Sequence, residues 1–116
     1  MKTKNRLILV FATLIFISCN QTGSIQIQNK ISNVEIIDIQ WGKNYIESDL
    51  LPGETSSKMT ISDYDESLPA SHKVTFKMTA NNKSIYLETE KNYVLNANDN
   101  LLIILTDSTK VNNPNE

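Results

Sequence analysis

The sequence predicts an all-β domain, a small antiparallel β-sandwich. Three observations carry that reading. Apolar and polar residues alternate in steps of two through Lys73–Glu88, the period of a strand with one buried face. Groups of Asn, Asp, Gly and Pro break such segments at short intervals. Beyond the first twenty residues no segment repeats its apolar residues at the 3.6-residue period of a helix.

The firmest element is a hairpin. Val74, Phe76 and Met78 alternate with Lys73, Thr75 and Lys77, and Ile85, Leu87 and Thr89 alternate with Ser84, Tyr86 and Glu88. Between the two runs stands Asn81-Asn82. Asn tolerates positive φ, which a two-residue type I′ loop requires at both positions. That loop pairs Met78 with Ile85, Phe76 with Leu87 and Val74 with Thr89, placing the apolar partners on one face. Lys77 then meets Tyr86 and Thr75 meets Glu88 on the other, and a slip of one residue would destroy the agreement.

Further strands follow from the same logic. Tyr93 and Leu95 point inward on a short strand, which a three-residue loop at Glu90–Asn92 returns beside Thr89. Asn96–Asn100 is a turn. Leu101–Leu105 is apolar without alternation, which predicts burial on both faces or a second face under a partner. Upstream, Val34–Trp41 reads as a strand whose parity shifts between Ile36 and Ile37, the signature of a bulge. Pro52-Gly53 makes a turn, and Ser57–Ser62 is a strand with Met59 and Ile61 inward. His72 falls in a loop at Pro69–His72. Six or seven short strands on this plan make a sandwich of Ig-like or transthyretin-like layout. A small β-barrel is the second arrangement the pattern allows.

Composition narrows the chemistry. At 116 residues the chain holds one domain. A single Cys excludes a disulfide framework, and a single His leaves little for a metal cluster or a Ser-His triad. A net charge of −2 disfavours nucleic acid as a partner. The serines lie in no nucleophile motif, and the glycines form no phosphate loop. The expectation is a protein that is not an enzyme and holds no cofactor. Asp63, Asp65 and Glu66 are the densest carboxylates and the weak candidates for a Ca²⁺ site, although the Gly and distant Glu of an EF-hand loop are missing. Trp41, Tyr86 and Lys77 are the candidates for contact with a partner.

The N-terminus carries an address. Lys2, Lys4 and Arg6 precede an apolar run of 11 residues, Leu7–Ile17. That run is shorter than the roughly 20 residues of a membrane-spanning helix and suits a signal peptide. Ser18-Cys19 follows at once. In these residues the chain resembles bacterial lipoproteins of the Bacteroidota type, although Phe16 stands where their lipobox usually has Leu. The resemblance implies cleavage before Cys19 and acylation of its thiol and new amino group. Each buried methylene of an acyl chain contributes about 0.8 kcal/mol of anchoring. Asn20 in place of an Asp, and the lack of acidic residues just after the Cys, imply the outer membrane with the periplasmic side favoured. In the same family frame Asp107-Ser108-Thr109 matches a short O-glycosylation pattern, with Ser108 the implied acceptor.

The expected organisation is a signal peptide at 1–18 and an acylated Cys with a polar tether at 19–29, with room for a short first strand at Ser24–Gln28. A β-sandwich follows at 30–111 and a polar tail at 112–116. Removal of the signal leaves 8 basic against 13 acidic residues, a net charge of −5, so the lipid rather than a basic patch would hold the body to the membrane. The function expected is that of a lipid-anchored envelope protein binding another envelope protein as accessory or adaptor. Edge-strand pairing, or the face bearing Lys77 and Tyr86, would make the contact. A ligand- or Ca²⁺-binding module, or an inhibitor acting through an exposed loop, is the alternative.

Overall fold

A computed structural model describes residues Gln21–Asn115, and Cys19 lies outside them. Ten strands follow in order: β1 Thr22–Lys30, β2 Glu35–Trp41, β3 Asn44–Leu50, β4 Met59–Ser62, β5 Ala70–His72, β6 Val74–Ala80, β7 Lys83–Thr89, β8 Tyr93–Leu95, β9 Asn100–Thr106 and β10 Val111–Asn112. No helix occurs among the described residues. The strands form three sheets, β4-β1-β9, β10-β7-β6-β2-β3 and the ribbon β5-β8. Their inward side chains share one core, with Ile25, Ile27, Ile61 and Ile103 from the first sheet and Ile36, Ile39, Trp41 and Phe76 from the second. The fold is all-β and sandwich-like, and no sheet closes into a barrel.

The β6–β7 hairpin has the register its alternation predicts. Phe76 faces Leu87, Lys77 faces Tyr86 and Met78 faces Ile85, while Asn81 and Asn82 have φ of 53° and 63°. The bulge in β2 is present and sits at Asp38, whose φ is 51°. It lies slightly later than the pattern suggests, because Ile36, Ile39 and Trp41 turn inward while Ile37 does not. Lys77 closes on this bulge, with its Nζ 3.3 Å from Asp38 Oδ2.

Four expectations need correction. The segment expected to be a tether with room for a short strand at Ser24–Gln28 is, from Thr22 to Lys30, the central strand of the first sheet. β1 pairs antiparallel with β4 on one side and parallel with β9 on the other. Its polar look comes from Ser24, Gln26 and Gln28, which face outward, whereas Ile25 and Ile27 are wholly buried. Second, β8 does not return to β7. It pairs with β5, aligning Tyr93 with His72, and β10 takes the edge of β7 instead. Asn112, expected to begin the tail, is therefore part of a strand. The Thr89 hydroxyl fixes this crossing: it accepts the Val74 N–H at 3.0 Å and donates to the Lys91 carbonyl at 2.9 Å. Third, His72 lies on a strand rather than in a loop. Fourth, of the two arrangements expected for β9, burial on both faces does not hold, which leaves the other, a second face under a partner. Ile103 and Leu105 point into the core, while Leu102 and Ile104 remain 48% and 42% exposed.

A buried Asn joins the ends of several elements. Asn29 donates both amide hydrogens, to the Val34 carbonyl at 2.8 Å and the Leu50 carbonyl at 3.0 Å, and its Oδ1 accepts the Ile31 N–H at 3.0 Å. Its own main chain meets the Pro52-Gly53 turn through Gly53 N–H and the Glu54 carbonyl. A buried polar side chain with every group paired specifies geometry, since any other arrangement would strand a desolvated donor or acceptor.

Candidate functional site

Protein surfaces reveal contacts through what they leave unguarded. A strand at a sheet edge offers unpaired N–H and C=O groups, and stable monomers blunt such edges by shortness, charge, Pro or a bulge. Among the described residues β9 has no neighbour on the side away from β1. The other edge strands are blunted. β10 has two residues, β5 and β8 three each and β4 four, while β3 has seven but carries Glu47 and Asp49. β9 has seven residues, Asn100-Leu101-Leu102-Ile103-Ile104-Leu105-Thr106, with no charge and no Pro. Leu102 and Ile104 add an exposed apolar face beside that open edge. Sequence reasoning found the apolar run; that it forms an edge follows from the parallel β1 pairing, which no local signal announces.

The polar cluster of the molecule lies elsewhere. His72 on β5 packs edge-on against Trp41, with ring centroids 4.8 Å apart at 82°. Its Nε2 meets Glu66 Oε1. Glu66 Oε2 in turn accepts from Asn44 Nδ2 at 3.4 Å. Gly42 makes this approach possible: it turns β2 into β3 with φ of 60°, and a Cβ there would lie 2.5 Å from the His72 ring. A cleft of about 320 Å³ opens beside the pair, lined by Lys43, Asn44, Asp65, Glu66 and His72. No Ser, Thr or Cys lines it. The arrangement ties the acidic loop to β5 across the Gly42 turn. Sequence alone could not join Glu66 to His72, because the contact depends on where β5 lies.

The candidate metal carboxylates do not converge. Asp63 accepts the main-chain N–H groups of Gln21 and Leu68, Asp65 accepts from the Ser62 N–H and hydroxyl, and Glu66 holds His72. Each is engaged with a different partner, and among the described residues no three acidic, His or Cys side chains gather as a metal site. Trp41 is not available as a contact residue. It is fully buried, and its Nε1 donates to the Tyr93 carbonyl at 3.1 Å. Lys77 and Tyr86 stand opposite each other, both half-buried, with Lys77 engaged by Asp38. Ser108 is exposed in the turn after β9, its Oγ 3.1 Å from Thr106 Oγ1.

Beside Ser108, Asp107 clasps the β1–β2 turn. Oδ2 accepts the Ser32 hydroxyl at 2.6 Å and Oδ1 the Ser32 N–H at 2.8 Å. The hydroxyl bond, then the main-chain bond, hold this carboxyl below the ordinary carboxylate pKa. A depressed folded-state pKa contributes stability above the unfolded value of about 3.9, and the contribution disappears as pH falls through the folded value. The expected outcome is that Asp107→Ala melts below wild type at neutral pH and that the gap closes under acid, from about pH 4 downward. Melting curves across pH test this, and a gap that stayed constant would contradict the linkage.

Tyr93, on β8, has its phenol pushed above the usual pKa by burial. It remains neutral at physiological pH, and Lys91 Nζ lies 5.2 Å from the centre of its ring. No family model matches the chain, and neither the curated proteins nor the solved structures compared with it include a match.

Proposed function

We propose that this is a non-catalytic, lipid-anchored protein of the cell envelope. Cys19 carries the lipid in the outer membrane, and the β-sandwich faces the periplasm and binds another envelope protein as accessory or adaptor. The observation that supports binding is the unguarded β9 edge with Leu102 and Ile104 exposed beside it. A seven-residue uncharged edge left open in a monomer is an aggregation hazard, and a resident partner strand removes that hazard. The anchoring half rests on the signal peptide and on Ser18-Cys19 alone.

Affinity co-purification from native envelopes in mild detergent tests both halves, with a Cys19→Ala protein run in parallel. The expected result is one partner at near-equal amount with the anchored form, and loss of the Cys19→Ala protein from the membrane fraction. Absence of any stoichiometric partner would sink the adaptor reading. Membrane retention of Cys19→Ala would sink the anchor.

A further inference from the structure

Resting on the anchor half of that reading, we infer that the pole of the sandwich at the start of β1 lies against a phospholipid headgroup layer, with the Tyr64 ring seated among the headgroups. The span between anchor and fold is very short. Asn20 alone separates Cys19 from Gln21, and β1 begins at Thr22. A trans chain advances at most about 3.6 Å per residue, so the Gln21 Cα lies within about 7 Å of the Cys19 Cα. The headgroup region on each face of a bilayer is itself about 5–8 Å deep. A Cys19 whose thiol carries the lipid therefore holds Gln21 at the outer limit of that region, and the body has no room to stand away from it.

Gln21 fixes which residues come with it. Its carbonyl accepts the Asp63 N–H at 3.1 Å, and its N–H donates to Asp63 Oδ2 at 3.3 Å. Asp63 Oδ1 also accepts the Leu68 N–H at 3.3 Å, and Glu66 of the same loop holds His72. The Ser62–Ser67 loop is thus tied both to Gln21 and to β5, and it stays beside the anchor point. Within it Tyr64 is 84% exposed, the most exposed large apolar or aromatic side chain among the described residues. An apolar ring that ends in a hydroxyl suits a layer with one dry and one wet side. Asp63, Asp65 and Glu66 give the loop three carboxylates, and Lys43 is the one lysine lining the cleft beside them. That balance favours zwitterionic over anionic headgroups. The β6–β7 turn lies at the opposite pole. β2 pairs with β6 from Trp41–Val74, beside the Gly42 turn that meets His72, to Glu35–Thr79, next to Ala80. Lys83, exposed at that far turn, is the reference point.

Cys19 is the only Cys of the chain, and acylation consumes its thiol, so one added Cys takes a dye at one place. The test adds full-length Tyr64→Cys or Lys83→Cys protein, labelled with an environment-sensitive dye, to preformed phosphatidylcholine vesicles whose headgroups carry a nitroxide. Quenching is expected to be several-fold stronger at position 64 than at position 83, with blue-shifted emission at 64. Ser67→Cys should be quenched as well, and less so when Tyr64→Ser is added. Replacing half of the lipid by phosphatidylglycerol should weaken quenching at 64 at low salt, and about 0.5 M salt should restore it. Equal quenching at 64 and 83 in protein that floats with the vesicles would overturn the orientation and leave the anchor standing. Quenching at 67 that Tyr64→Ser does not change would overturn the seating of the ring. Quenching that phosphatidylglycerol does not weaken would overturn the zwitterionic preference. Wild-type protein that takes up the dye at Cys19, or does not float with the vesicles, would overturn the anchor and this inference with it.

Discussion

Replacing Trp41 by Ala is expected to destabilise the protein by about 3–5 kcal/mol, the range for removing a large aromatic from a packed core. Small domains are stable by only about 5–15 kcal/mol in total, so this loss would remove a large share of the protein's stability. Three losses combine. The indole is fully buried and leaves a cavity between β2 and the β5-β8 ribbon. The Tyr93 carbonyl loses its donor, and the His72 ring loses the surface it packs on. Trp41→Phe divides these terms, since it restores most of the apolar volume but leaves the carbonyl unpaired, and should cost about 1–3 kcal/mol. Urea denaturation followed by circular dichroism reads both variants. A Trp41→Ala loss below about 1 kcal/mol would show that this corner is not part of the cooperative core.

Asn29→Ala is expected to cost about 3 kcal/mol or more, although it removes little apolar surface. Three side-chain hydrogen bonds vanish together, and the Val34 and Leu50 carbonyls and the Ile31 N–H lose their partner in or near the interior, at about 1 kcal/mol or more each. Asn29→Asp keeps the shape but presents acceptors to two carbonyls, so at pH 7 it should be at least as damaging. The same denaturation series checks this. A near-neutral Asn29→Ala would mean that water replaces the amide at low cost, and the junction of β1, β2 and β3 would then not be specified by this residue.

These two residues also mark where sequence reading reached and where it stopped. The β6–β7 hairpin was legible because its information is local: alternation on both arms and two Asn residues able to take positive φ at the loop. The β2 bulge was legible as a parity change to within two residues. Asn29 was not, because a polar residue beside Gln26 and Gln28 looks like solvated chain until the burial of Ile25 and Ile27 is known. The partner of β8 was not legible either. Its parity suits β7 and β5 equally, and the choice is made by the Thr89 hydroxyl and by Trp41, whose bonds span distant positions. β5 and β10, with three and two residues, are too short to carry a period. At the candidate site the apolar residues of β9 stood out in the sequence, whereas its standing as an open edge depends on a pairing with β1 some 76 positions away, as Ser24 and Asn100 show.

That parallel pairing imposes an order of events on a chain made from its N-terminus. β1 is the middle strand of its sheet, and one of its two neighbours, β9, follows both other strands of that sheet in the chain. Until β9 is available, Ile25 has β4 and Ile27 has Ser56 on one flank, and both have water on the other. The β6–β7 hairpin closes over a two-residue loop and can form early, whereas the first sheet must wait for the far end of the chain and pay the larger closure entropy. The half of the sandwich that contains β9 is thus the half that is completed last.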